Sequence, residues 1–221
     1  MDALFKVEVS RDLDRKAKRS IASKMKVVTE AIEAIETASG LRYPPYYVEV
    51  LLTVVPENPA SVDLGILYAR TIPVETQRRV VIFVQLSAAL LLYATKRTIR
   101  LVLAHEFLHY IDLIREFSRI DVSSQTASNS VFEEQFIDTS RAFDPGKVFD
   151  DKVLVRLLRK KTASGLLDPK LNEKCKTKWI EKGLPMQKLS LARNVTHIPI
   201  ETIVRSQFDP KVLELLRRID S

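Results

Sequence analysis

The apolar positions of the chain change period along its length. From 13 to 38, "LDRKAKRSIASKMKVVTEAIEAIETA", Ile21, Met25, Val28, Ile32 and Ile35 recur at three- and four-residue steps, which is the repeat of one helix face. Ser39-Gly40 ends this helix, and Gly40 suits a left-handed cap. "RYPPYY" is then an extended connector, because its adjacent prolines exclude helix. β-Branched and aromatic residues dominate next. The stretches 47–55 (YVEVLLTVV), 63–71 (DLGILYART) and 79–87 (RVVIFVQLS) predict three strands, the first ending at Pro56 and the second before Pro73. "PENPAS" is the turn between the first two.

A long helix is predicted over about 96–118, capped by Thr95 or Thr98. Ile99, Leu101, Val102, Leu103, Phe107, Leu108, Ile111, Leu113, Ile114 and Phe117 make it apolar almost all round, so it belongs at the centre of the fold. After a polar loop at 121–130, a further helix is predicted over 131–142 and ends at "FDPGK". Residues 147–221 read as helical, with breaks at Gly165, Gly183-Leu184-Pro185 and Pro199. The expected class is α+β: a small mixed sheet with a backing helix and a central helix, plus a mainly helical C-terminal lobe. The expected division is 1–145 and 146–221, with no flexible linker between them.

Inside the central helix lies "LAHEFLHYID", 103–112, with two of the chain's three histidines. Residues four apart share a helix face, so His105 and His109 can present two imidazole nitrogens to one ion. Glu106 lies about 100° round the axis from His105 and can reach a water held at such an ion. That is the mechanics of H-E-x-x-H, two zinc ligands and a general base. Two histidines and a glutamate in an apolar helix need partners, and a dication supplies one. The expected cofactor is one Zn2+ per chain.

A catalytic zinc takes three protein ligands. The extension H-E-x-x-H-x-x-G-x-x-H fails here, because Asp112 and Arg115 stand at its Gly and final His positions. The better candidate is in "SNSVFEEQFID", 128–138. Ser130 with Glu133 forms the S-x-x-E capping box, which occupies Glu133 at a helix start. Glu134 then pairs at i,i+4 with Asp138, the first as metal ligand and the second orienting a ligating imidazole. Glu133, Asp112, Asp138 and His197 remain alternatives for the third ligand.

Composition adds bounds. With a single cysteine, Cys175, no disulfide within the chain and no Cys-based zinc site is possible, and a reducing, cytoplasmic setting is expected. The N-terminal residues carry no apolar signal-peptide core. The apolar run 80–95 falls short of the roughly 20 residues that a spanning helix needs. It reads as a buried strand followed by an apolar turn or short helix, and no membrane partner is expected. The net charge of +7 has clusters at 15–19, 156–161 and 174–182, which fit solvated helix faces or attraction to nucleic acid through the C-terminal lobe.

These residues resemble the zincin metallopeptidases, and among them the glutamate-zincins or gluzincins. The motif is His105-Glu106-Phe107-Leu108-His109, followed by Glu134 with Asp138 four residues on. The order of backing helix, strands and active-site helix is also similar to a zincin upper lobe, over roughly 20–145. The resemblance implies a zincin-like fold and hydrolysis of a peptide or protein substrate, with zinc on His105, His109 and Glu134 and with Glu106 as general base. The sequence departs from thermolysin-like members in a longer gap from His109 to Glu134 and in Glu133 where an Asn often precedes the ligand. No donor motif for the transition state is recognisable. His197, Tyr110, Arg193 and Arg205 are the candidates, with His197 first. The alternative is a non-catalytic protein on the same scaffold that binds nucleic acid or a ribonucleoprotein.

Overall fold

The computed structural model describes residues 4–56, 64–119, 129–133, 143–162, 166–189 and 195–220. They form a mixed α+β protein. After a short helix α1 (Phe5–Val9), the amphipathic helix α2 spans Arg15–Ser39. Asp14 caps it by accepting from Ala17 N at 2.6 Å. Gly40, at φ 68°, ends it in the left-handed conformation, and its N–H donates to Glu36 O. Ile21, Val28 and Ile35 are buried, so the three-and-four spacing does mark the inner face.

The first two predicted strands each divide in two. The 47–55 run becomes β1 (Tyr46–Glu49) and β2 (Leu52–Pro56). The break has a local cause, since the amides of Val50 and Leu51 donate to the Glu49 carboxylate at 2.9 and 3.4 Å. The 63–71 run becomes β3 (Leu64–Leu67) and β4 (Ala69–Thr76), separated at Tyr68. β4 continues through Pro73, against the expected stop. It lies at the edge of its sheet, where a residue without an N–H is tolerated.

β5 (Arg79–Ser87) sits between parallel β1 and antiparallel β4. The β4–β5 turn places Gln77 at φ 49° and Arg78 at φ 61°, a two-residue hairpin that holds two side chains in the left-handed region. A second sheet has the order β3–β2–β7, with β7 (Met186–Lys188) parallel to β2. A third pairs β6 (Asn129–Glu133) with β8 (Val195–Pro199), antiparallel.

α3 (Ala88–Tyr93) and the central helix α4 (Lys96–Ser118) follow β5 directly. Thr95 caps α4 by accepting from Thr98 N at 3.1 Å. The apolar run 80–95 is therefore strand plus short helix. No helix among the described residues is long and apolar enough to cross a membrane.

Two predicted helical regions contain strands. Residues 129–133 pair with β8, so Ser130 and Glu133 are strand residues, against the expectation of a helix start between them. The remainder of the predicted 131–142 helix lies outside the described residues. Beyond 147 the chain does form α5 (Lys152–Lys161), α6 (Pro169–Cys175) with a wide turn over Lys176–Ile180, α7 (Ile200–Val204) and α8 (Pro210–Asp220). It also contributes β7 and β8. Trp179 is fully buried, donates to Pro185 O at 2.9 Å and meets Tyr93 edge-on. One hydrophobic cluster runs from Val7 through α4 to Leu216, so residues on both sides of position 145 share it.

Candidate metal centre

α4 is buried on most of its circumference, which its sequence requires. Leu103, Phe107, Ile111 and Ile114 are wholly buried. Phe107 anchors an aromatic stack, with ring centroids 5.5 Å from Tyr43, 5.8 Å from Tyr110 and 6.0 Å from Phe149. Tyr43, within the predicted connector, also donates its hydroxyl to Leu103 O at 2.9 Å. Burial, and next the nearby Glu106 carboxylate, push the Tyr43 phenol well above its ordinary range. These contacts fix both the rotation and the height of α4.

With α4 so fixed, His105 and His109 face one another. Their Nε2 atoms are 3.1 Å apart and their ring planes cross at 84°. Two imidazole nitrogens on one tetrahedral zinc, each bonded at about 2.0–2.1 Å, stand about 3.3 Å apart. The observed pair is close to that spacing. Burial, helped by the neighbouring His109, pushes the His105 pKa down to about 3, and burial alone pushes His109 down to about 4. Both rings are thus neutral at neutral pH, the form that binds a metal. His105 Nδ1 is buried and has no hydrogen-bond partner among the described residues.

Glu106 is 6% exposed. Its Oε2 accepts from Thr71 Oγ1 at 2.8 Å, and its main-chain oxygen lies 3.0 Å from the same hydroxyl. Thr71 belongs to the edge strand β4, so the sheet grips the carboxylate that follows the first histidine. Burial raises the Glu106 pKa to about 7, and the Thr71 hydrogen bond opposes that rise. A carboxyl poised there suits proton transfer at neutral pH.

Among the described residues, no group of three His, Cys, Asp or Glu side chains surrounds a common point. Asp112 follows His105 and His109 at i+7 and i+3, on the same side of α4, but its carboxylate is engaged by Arg115. The Arg115 guanidinium in turn lies over the Phe143 ring, 4.9 Å from its centroid. Glu134, Asp138 and Arg193 lie outside the described residues. Glu133 is in β6, opposite Val195 of β8. His197 pairs with Val131, so the β6–β8 ladder brings His197 beside the strand that leads into Glu134. Tyr110 stacks on Phe107, and burial with the nearby Asp209 charge raises its pKa to about 12. Arg205 is exposed after α7.

The donors described are two neutral imidazoles, whose Nε2 atoms lie within hydrogen-bond distance of each other and near the spacing of two zinc ligands, and the buried Glu106 carboxylate beside them is held by Thr71 rather than turned to the same point. Thr71 and Tyr43 carry no sequence signal for their roles. A threonine in a strand and a tyrosine in a Pro-rich connector are ordinary, and only the tertiary packing brings them to α4. Compared with protein-family models, curated proteins and solved structures, the chain matches none of them.

Proposed function

We propose that this protein is a zinc-dependent peptidase of zincin-like architecture, with α4 as its active-site helix and α2 as its backing helix. The observation that carries the reading is the pair of half-buried, neutral imidazoles whose Nε2 atoms stand 3.1 Å apart, with the buried Glu106 carboxylate next to His105 in the chain. His105 and His109 would hold the metal, and Glu134 is the proposed third ligand. Asp138 is proposed to accept from a ligating imidazole, and His105 Nδ1 is a buried ring nitrogen that needs such a partner.

Zinc, when bound, supplies a Lewis acid that polarises the scissile carbonyl and brings the attacking water to a pKa of about 7. Glu106 takes one proton from that water as its oxygen attacks the carbonyl carbon, and delivers it to the departing amine nitrogen as the C–N bond breaks. Thr71 holds the Glu106 carboxylate in one orientation while the proton moves. No strand pairs with the outer edge of β4 among the described residues. An extended substrate added at that edge would run beside the strand that grips the base. His197 is proposed as a hydrogen-bond donor to the developing oxyanion.

The test is hydrolysis of a mixed peptide library by the zinc-loaded protein and by its Glu106→Gln variant. The expected result is cleavage by the wild type and a loss of at least about a hundredfold in the variant, with zinc retained. Unimpaired cleavage by Glu106→Gln would end the assignment of Glu106 as base.

A further inference from the structure

Behind the metal-binding face of α4, the chain builds a basic groove. Lys152, Arg156, Arg159 and Lys160 are all exposed on α5, and with Gly146 and Phe149 they line a cavity of about 670 Å3. Lys152, Arg156 and Lys160 follow one another at i, i+4 and i+8, so they form a row on one helix face with a cation about every 6 Å along the axis. None of these three has a carboxylate within ion-pair distance among the described residues, although Asp150 also lines the groove.

The opposite wall is fitted to the fourth cation. Arg159 Nη2 donates to Asp144 Oδ1 at 2.9 Å, and Asp144 Oδ1 also accepts from Gly146 N at 3.1 Å. A Cβ at position 146 would stand 2.7 Å from Arg159 Nη2, so a glycine there lets the guanidinium lie against the turn over Pro145–Lys147. The Arg159 bond holds the Asp144 carboxyl below the ordinary carboxylate range. Phe149 is buried between this groove and Phe107 of α4. The groove thus has Phe149 at its base and, along one side, a row of three cations that have no ion-pair partner among the described residues.

We propose that this groove binds the sugar-phosphate backbone of a single-stranded nucleic acid. A strand carries one negative charge per nucleotide at regular intervals, which suits a row of cations one helical turn apart. The apolar base accommodates the less polar faces of sugar or base. The cations line a concavity, whereas a bilayer presents a flat surface. This site stands apart from the metal centre and does not rest on the peptidase reading.

The test is fluorescence anisotropy of the full-length protein with labelled oligo-uridylate and oligo-thymidylate of about 20 nucleotides, over a salt series starting at about 50 mM. The groove variant is K152Q/R156Q/K160Q, with Arg156→Gln alone as a milder one. The control is K174Q/K176Q/K178Q, which removes the same charge from exposed positions in the last turn of α6 and just after it. The expected result is binding by the wild type that weakens with salt. The groove triple is expected to lose at least about tenfold in affinity and about two to three in the magnitude of the log–log salt slope, while the control changes less than about twofold. Absence of wild-type binding, or equal weakening by both triples, overturns the proposal. So does groove-dependent binding of phosphatidylserine vesicles without oligonucleotide binding, which gives the site to a lipid surface.

Discussion

Thr71 Oγ1 lies 2.8 Å from Glu106 Oε2, so a hydroxyl on an edge strand holds the carboxylate between two histidines of the central helix. The strand and the helix are linked at the proposed base itself.

That bond predicts a kinetic signature. Thr71→Val removes the hydrogen bond that holds the Glu106 pKa down, so the pKa rises further. The base must be deprotonated to work, so the acid limb of the kcat/KM profile moves to higher pH. Thr71→Val is expected to keep its zinc and lose about tenfold in kcat, and Thr71→Ser to recover most of it. A Thr71→Val profile that superimposes on the wild type would show that the contact does not tune the base.

The buried titratable groups set the pH dependence of stability once zinc is removed by chelation. His105 and His109 have folded pKa values of about 3 and 4 against an ordinary 6.5, so the unfolded chain binds their protons first. Stability therefore falls as pH drops below about 6.5, by about 1.4 kcal/mol per pH unit for each histidine that protonates only on unfolding. Glu106, raised to about 7 from 4.5, acts in the opposite sense and gains stability as pH falls through the same range. Glu106→Gln removes that opposing group. Denaturant titrations of the chelated variant between pH 6.5 and 4.5 are expected to show a steeper loss than the chelated wild type. A loss no steeper than that of the chelated wild type would mean that Glu106 is not held protonated in the fold over this range.

Phe107 carries the position of α4. It is wholly buried and its ring meets Tyr43, Tyr110 and Phe149. Phe107→Ala is expected to cost about 3–5 kcal/mol in equilibrium unfolding, through lost burial and the cavity left behind. A cost below about 1 kcal/mol would mean that the neighbouring rings collapse into the space.

The parts of this fold written in local pattern were legible from sequence. The spacing Ile21–Val28–Ile35 with Gly40 beyond it defines α2, and Thr95 with an all-round apolar run defines α4. The His105–His109 face follows from helical periodicity alone. The misread parts depend on partners far along the chain. Val131 and Phe132 fit a helix or a strand equally well as a short run, and β8, more than sixty residues later, pairs with them as a strand. The β-branched and apolar residues that dominate 47–55 give no warning that the Glu49 carboxylate among them will take the amides of Val50 and Leu51 and that β2 will join another sheet. Thr71 was legible only as a strand residue, because its role needs β4 to pass over α4.

The measurement closest to the central claim is zinc content by elemental mass spectrometry on protein purified without chelator. The samples are the wild type, the double variant H105A/H109A, and Glu134→Ala. The expected result is about one zinc per chain in the wild type, almost none in the double variant and a strong reduction in Glu134→Ala. A wild-type protein that takes up no zinc when zinc is supplied, or a double variant that keeps its zinc, would contradict it.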